Sequence, residues 1–280
     1  MGDFDIDTRV EGEGGRYRAT ISREWEIWGP NGGYVAAIAL RAAGRESEIA
    51  RPASFSGHFL GRAEFAPVDL DVTKVHGGRR SESLHVVMRQ EGRSIMNAIV
   101  RTAAEGPGLE HDVTTMPEAP APEGLKTYPE LLPDGPGPPY PFWDNIEGRP
   151  IDPERVLVPP EERGPYPPVF REWYRFRPRA TFEDVWVDAG RMLVLIDTMS
   201  WPCAAMAHPR PLAYMAPNMD VTAWFHRSAP ESEWLLADHH SPVAEGGLMG
   251  TTARIWSRDG RLLASGGAQL LCVPAPLDGR

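Results

Sequence analysis

Cysteine is almost missing from this chain of 280 residues: only Cys203 and Cys272 occur, far apart in sequence. Two such thiols make neither a disulfide framework nor a metal set, and a reducing cytoplasm is the expected compartment. Long apolar runs are missing too, none nearing the roughly 18 residues of a membrane span. No basic, apolar and small-residue succession opens the chain. No secretory leader is therefore read, and residues 1–15, polar and acidic, are expected to be a loose lead-in. Positive charge is in short supply. The formal net charge of −10 argues against a nucleic-acid binder, which needs a positive surface, and against attraction to anionic membranes. Local arginine clusters can still meet a small anion, with Arg62, Arg79, Arg80 and Arg227 as candidates for phosphate contacts. No G-x-S-x-G elbow is present, so a serine-hydrolase reading fails, and no His/Cys/carboxylate spacing suits a metal. No cofactor is expected.

What the chain does have is a glycine-rich approach to an apolar helix, GPNGGYVAAIALRAAG, over residues 29–44. Tyr34, Val35, Ala36, Ala37, Ile38, Ala39 and Leu40 leave it no polar face, so it should be buried on most sides. Its alanines keep it thin enough for a sheet to curve around it. Gly44 stands where a left-handed C-terminal residue is wanted. Asn31, Gly32 and Gly33 should leave backbone N–H groups open at the positive end of the helix, suited to a carbonyl oxygen that gains charge during reaction.

Alternation predicts strands over 17–28, 53–65, 68–75, 83–90 and 93–104, the last two joined at Glu91-Gly92. After 168 it predicts strands over 169–177, 218–227, 234–243, 248–256 and 261–273, with Asp259-Gly260 as a turn. A second apolar helix, over 188–207, should kink at Pro202. Between the two sets, 105–168 is proline-dense, which argues against ordinary sheet or helix and for a connection between domains. Tyr140, Phe142 and Trp143 should hold it against the surface. The organisation expected is a first domain over 16–104, the connector, a second domain over 169–274 and a tail over 275–280. The halves repeat a helix, an aromatic-rich strand (SFSGHFL, DVTAWFH) and two strands joined by a Gly-Arg turn. One unit used twice implies an internal two-fold axis. The class is α+β.

The segments WGPNGGYVAAIALRAA, SFSGHFLGR, VVMRQEGRSIMNAIVR, MDVTAWFHR, SEWLL and RIWSRDGRLLASGGAQLL, in this order, resemble the TesB-like (type II) acyl-CoA thioesterase family. The resemblance implies a double hot-dog: two antiparallel sheets, each wrapping a central helix, joined edge to edge. It implies hydrolysis of an acyl-CoA substrate to free acid and CoA, without metal or covalent intermediate. It also implies a catalytic trio, here Asp220, Ser241 and Gln269. Two departures stand out: Ser241 is followed by Pro242, and SGGAQ is one residue longer than the family's spacing. Such an extra residue suits a bulge.

A thiolate leaves without a strong acid, since a thiol's pKa is about 8.5. The work is then to place a water and hold the oxyanion. Asp220 would take the water's proton while Ser241 and Gln269 orient it; Asn31, Gly32, Gly33, Tyr34 and Trp224 would meet the substrate. Asp197 is read as capping a helical segment or bonding locally. His239 and His240, adjacent on a strand, cannot line one pocket. The rival readings are a hydratase or dehydratase, with His58 or the cluster from Asp238 to His240 as material, and a non-catalytic acyl-thioester binder. Exposed sheet faces and edges imply a homo-oligomer, a dimer of double hot-dogs, and no membrane insertion.

Overall fold

A computed structural model of the protein describes residues 1–135, 139–159, 162 and 164–275. Most of the expected tail, and residues 136–138, 160, 161 and 163 of the connector, lie outside the described residues. The chain opens with a one-turn helix α1 (Phe4–Asp7), not a loose lead-in: Phe4 is buried and meets Trp25, Phe176 and Phe182 ring to ring. Strands β1 (Glu11–Glu13) and β2 (Arg16–Thr20) follow. The strand expected over 17–28 stops at Thr20, because a 3-10 turn, Arg23–Trp25, turns Trp25 inward to stack on Tyr34.

Helix α2 (Gly32–Glu46) comes next, then β3 (Pro52–Phe59), β4 (Pro67–Gly77), β5 (Ser81–Gln90) and β6 (Arg93–Ala103). Glu91 and Gly92, at φ of 49° and 78°, make the β5–β6 turn. The second half repeats the plan with β8 (Val169–Phe176), α5 (Val185–Thr198), α6 (Ser200–Ala205), β10 (Asp220–Phe225), β11 (Leu235–Glu245), β12 (Leu248–Ser257) and β13 (Leu262–Leu271). The kink expected at Pro202 falls three residues earlier, at Met199. A proline ring crowds the carbonyl four residues back, which here belongs to Thr198, the last residue of α5.

The connector is more ordered than its prolines suggest. It carries the short helices α3 (Tyr128–Leu131) and α4 (Pro153–Leu157) and a strand, β7 (Ile146–Pro150), that pairs with β8 at the sheet edge. An edge is where a sheet tolerates proline, since no neighbour needs the missing N–H. Phe142 is buried against Trp25, while Met116, Ala119, Leu125 and Ile151 cover a second cluster of Trp173, Trp234, Leu236 and Trp256.

Where two sheets were expected, the two halves share one. Its twelve strands run β1-β2-β4-β5-β6-β3-β10-β13-β12-β11-β8-β7, with a separate two-stranded ribbon of β9 (Tyr214–Met215) and β14 (Val273–Pro274). Read outward from the β3–β10 seam, the order β3-β6-β5-β4-β2 is answered by β10-β13-β12-β11-β8. That palindrome is the internal two-fold. At the seam, Ser54 to His58 pair antiparallel with Trp224 to Asp220.

Helices α2 and α5 lie against each other, and the main core forms around them from Phe55, Leu84, Val86, Val221, Ala223, Ile255 and their neighbours. They run antiparallel, for Gly33 of α2 lies by Val194 of α5 and Gly44 by Trp186. Gly44 is not the left-handed terminus expected; α2 continues to Glu46 and is capped at Ser47. Its lack of a side chain serves a close approach, because a Cβ there would sit 2.5 Å from the Trp186 ring.

Candidate active site

The first turn of α2 and the last turn of α5 meet at one pole of this helix pair. Asn31 caps α2, its Oδ1 accepting from the Tyr34 N–H at 2.8 Å. Its Nδ2 donates to Thr198 Oγ1 at 3.2 Å. Asp197 does not cap its own helix, as the sequence suggested. It reaches across the halves, Oδ2 accepting the Gly33 N–H at 2.7 Å and Oδ1 accepting Asn218 Nδ2 at 2.7 Å. The Gly33 donor expected for a substrate carbonyl is therefore already engaged. The Gly32 N–H has no protein acceptor among the described residues, and it remains the donor at this helix end. A Cβ on Gly32 would lie 2.8 Å from Phe59 Cζ and 3.0 Å from Asp197 Oδ1, so any side chain there would have to displace one of them.

Burial pushes the Asp197 carboxyl up to about 6, against the opposing pull of the Asn218 and Gly33 hydrogen bonds. Tyr34 is fully buried; its hydroxyl donates to the Asp7 carbonyl and accepts from the Ser22 N–H. Tyr34 therefore belongs to the core beneath the site, not to a substrate surface.

Asp220 is the first residue of β10, at the same pole and two residues past Asn218. Its Oδ1 accepts the Gln269 main-chain N–H at 3.0 Å, and the Met219 N–H donates to the Gln269 carbonyl at 2.8 Å. Asn218 bridges to Leu270 while Thr222 pairs with Gly267. Two residues, Met219 and Asp220, thus stand opposite Gln269 alone, which is a bulge. The extra residue in SGGAQ is met by a bulge, but on the facing strand. Asp220 is also the register partner of His58 across the seam.

Ser241 lies on β11, three strands from β10 and two from β13. Its buried hydroxyl donates to the Gly250 carbonyl at 3.1 Å, and Gly250 is in turn the partner of Gln269. A register shift between His240 and Val243 accommodates Pro242. By strand alternation Ser241 faces the helices with Leu235, Ala237 and His239, whereas Gln269, between the inward Ala268 and Leu270, faces away from them. The structure brings Asp220 against Gln269 and leaves Ser241 on the other face. Trp224 points outward too, 54% exposed, and sits opposite Ser54 and Ser265 rather than near α2.

Of the histidines, His239 is buried with Nε2 on the Ile196 carbonyl, and burial lowers its pKa to about 4. His240 bonds Asp238, which Arg171 also holds at 2.7 Å. Arg62 does stand at this pole, with Nη2 on the Trp28 carbonyl at 2.9 Å beside Gly29. Arg227 stands at the opposite one. The residues that sequence reasoning missed are Asn218 and Thr198, whose partners are remote in the chain; the asparagine just before the MDVTAWFHR strand was the one available signal.

Two family models match: that of the acyl-CoA thioesterase N-terminal domain over residues 21–103 and that of the C-terminal domain over residues 114–273. Among solved structures, a hot-dog protein of unknown function from Alicyclobacillus acidocaldarius is similar at 21% identity and a TM-score of 0.80, with 98% of each chain covered. The acyl-CoA thioesterase II TesB2 of Mycobacterium marinum is similar at 23% identity and a TM-score of 0.78, covering 98% of this chain and 99% of that one. The tesB protein of Mycobacterium avium subspecies paratuberculosis is similar at 24% identity and 0.77, covering 97% and 98%. Likeness at these identities speaks for the hot-dog fold, and the two domain models speak for the family. This chain belongs to the acyl-CoA thioesterase family, matching both its N-terminal and its C-terminal domain.

Proposed function

We propose that the protein hydrolyses an acyl-CoA thioester to free acid and CoA by direct attack of water at the pole where α2 meets β10. The observation that carries this is the meeting there of elements from both halves: the unengaged Gly32 N–H on α2, Asp197 at the end of α5, and Asp220 on β10 beside Gln269. The Gly32 N–H, at the positive end of α2, holds the carbonyl oxygen as it becomes an oxyanion. Because β10 begins at Asp220, its carboxylate stands at the lip of the sheet, where it takes a proton from the attacking water. Gln269, whose main-chain N–H bonds Asp220 Oδ1, holds that carboxylate in place, and the CoA thiolate leaves unassisted. Ser241, bonded to Gly250, holds the strand rather than the water. Arg62, at the mouth, meets a CoA phosphate. The two repeats act as two hot-dog domains meeting at the β3–β10 seam, and the outward sheet face carrying Trp224 pairs with a second copy.

A thiol-release assay across an acyl-CoA panel tests this. Asp220→Asn should lose about 10²–10⁴-fold in kcat with its circular dichroism unchanged. A second reading makes Asp197 the base, favoured by its pKa of about 6 and its place beside Gly32. Full activity in Asp220→Asn together with loss in Asp197→Asn would select it. Disappearance of an enoyl-CoA absorbance without thiol release would replace hydrolysis by hydration.

A further inference from the structure

A pocket of about 320 Å³ lies at the opposite pole, where the start of β3 and the end of β10 pass the first turns of α5. By the internal two-fold it is the counterpart of the reaction pole, and along β10 the two stand roughly 20 Å apart, at about 3.3 Å per strand residue. Its floor is apolar, built from Val185, Ala189, Met192 and Phe225. Its rim is cationic, from Arg51, Arg227 and Arg261. Arg227 reaches Asp112 at 2.9 Å and Arg261 reaches Asp259 at 2.8 Å, while Arg51 has no carboxylate within 4.0 Å among the described residues. Two carboxylates line the pocket, Glu105 and Asp188. Asp188 is spent: Oδ1 accepts Arg191 Nε and Nη2, and Oδ2 accepts the Ala229 N–H. His226 adds no negative charge; its Nε2 lies 2.8 Å from Ser265 Oγ. Arg51 is therefore the rim's uncommitted cation, and Glu105, exposed, is the one lining carboxylate without an ion-pair partner among the described residues.

We propose that this pocket binds a small organic carboxylate with a short apolar body, the kind of acid that thioester hydrolysis releases, at a site separate from the reaction pole. Guanidinium groups match a carboxylate in a fork geometry, and the floor takes the hydrocarbon. The volume stands at the low end of small-molecule pockets, about 300–1,000 Å³, which fits such an acid and not a whole CoA thioester. The assignment of the second site rests on the reaction pole proposed above, and the test reads the two separately.

Calorimetry of the whole chain against straight-chain and aromatic carboxylates, their matched alcohols and free CoA gives the affinities. Carboxylates should bind and their alcohols should not. Arg51→Gln with Arg261→Gln should weaken binding at least about ten-fold while thiol release persists, and Asp220→Asn should bind the acid as the parent does. Absence of carboxylate binding overturns the proposal. Binding that survives the arginine changes but is displaced by a substrate analogue places the acid at the reaction pole and overturns it equally. Binding of CoA alone, lost with the arginines, assigns the rim to phosphate and not to carboxylate. Loss of thiol-release activity in every form, with these affinities intact, would refute the hydrolysis and leave the pocket standing.

Discussion

At the scale of single residues, Asp197 ties the two halves together through a carboxylate 5% exposed to solvent. Its removal leaves the Gly33 N–H without its acceptor and the Asn218 amide with only the Asp197 carbonyl at 3.1 Å, and an orphaned buried donor costs about 1–3 kcal/mol. Asp197→Ala should therefore lower stability by about 2 kcal/mol or more in chemical denaturation, and should lower kcat by loosening the first turn of α2. Arg62 acts elsewhere. Arg62→Ala should raise KM about ten-fold and leave kcat near the parent value, because a phosphate contact remote from the thioester binds ground and transition states alike. Sequence made the local motifs around Asn31, Asp220 and Gln269 legible, and the structure shows Asn31 capping α2 and Asp220 bonded to the Gln269 main chain. It did not make the Asp197 clamp legible, because its partners Gly33 and Asn31 lie 164 and 166 residues away. The same distance hid the engagement of the Gly33 donor, so the helix end looked more open to substrate than it is.

At the scale of elements, the antiparallel contact of α2 with α5 is what brings the reaction pole together. Alanine is the better helix former by about 1 kcal/mol, so propensity alone predicts that Gly44→Ala stabilises α2. The contact predicts the opposite. A Cβ at residue 44 would meet three ring atoms of Trp186 within 2.8 Å, and an indole wedged between two helices has no flexible end to give way. Overpacking of this sort costs about 1–3 kcal/mol, so the variant should melt below the parent in calorimetry. The apolar strip of α2 and the strands over 68–75 and 83–90 were legible because their periods are regular. The strand over 53–65 was read too long: β3 ends at Phe59, and the Leu60 N–H on the Ile95 carbonyl is the last bond to β6 before the chain leaves the sheet. Strand β7 was hidden by its composition, since proline statistics describe central strands and this one lies at an edge.

At the scale of the whole molecule, one continuous sheet ends in β7, a strand that the connector itself supplies. Among the described residues no helix is long and apolar enough to cross a membrane. The connector is clasped to β8 at Glu172, whose buried side chain lies against Gly148, its Oε2 accepting the Tyr128 hydroxyl at 2.9 Å and its Oε1 without a hydrogen-bond partner among the described residues. Burial raises this carboxyl to about 8, so the native protein keeps the proton that the unfolded chain has already lost near 4.5. With more protons bound in the native state, stability falls as pH rises through that window. Below pH 6.5 the reading is mixed. His239, lowered to about 4, makes the fold lose stability as pH falls from 6.5, while Asp197, raised to about 6, acts in the opposite sense. Between pH 6.5 and 8 Glu172 stands alone among these three, and a slope of about 1.4 kcal/mol per pH unit gives a loss of roughly 2 kcal/mol across it. Glu172→Gln copies the protonated acid and cannot ionise. Its Tm should match the parent within a few degrees at pH 6.5, stay level to pH 8 where the parent's falls, and exceed it there by about 4–8 °C. Parallel curves for the two proteins across that range would mean that Glu172 is ionised in the folded chain, and that the edge of the sheet is wetter than its burial implies.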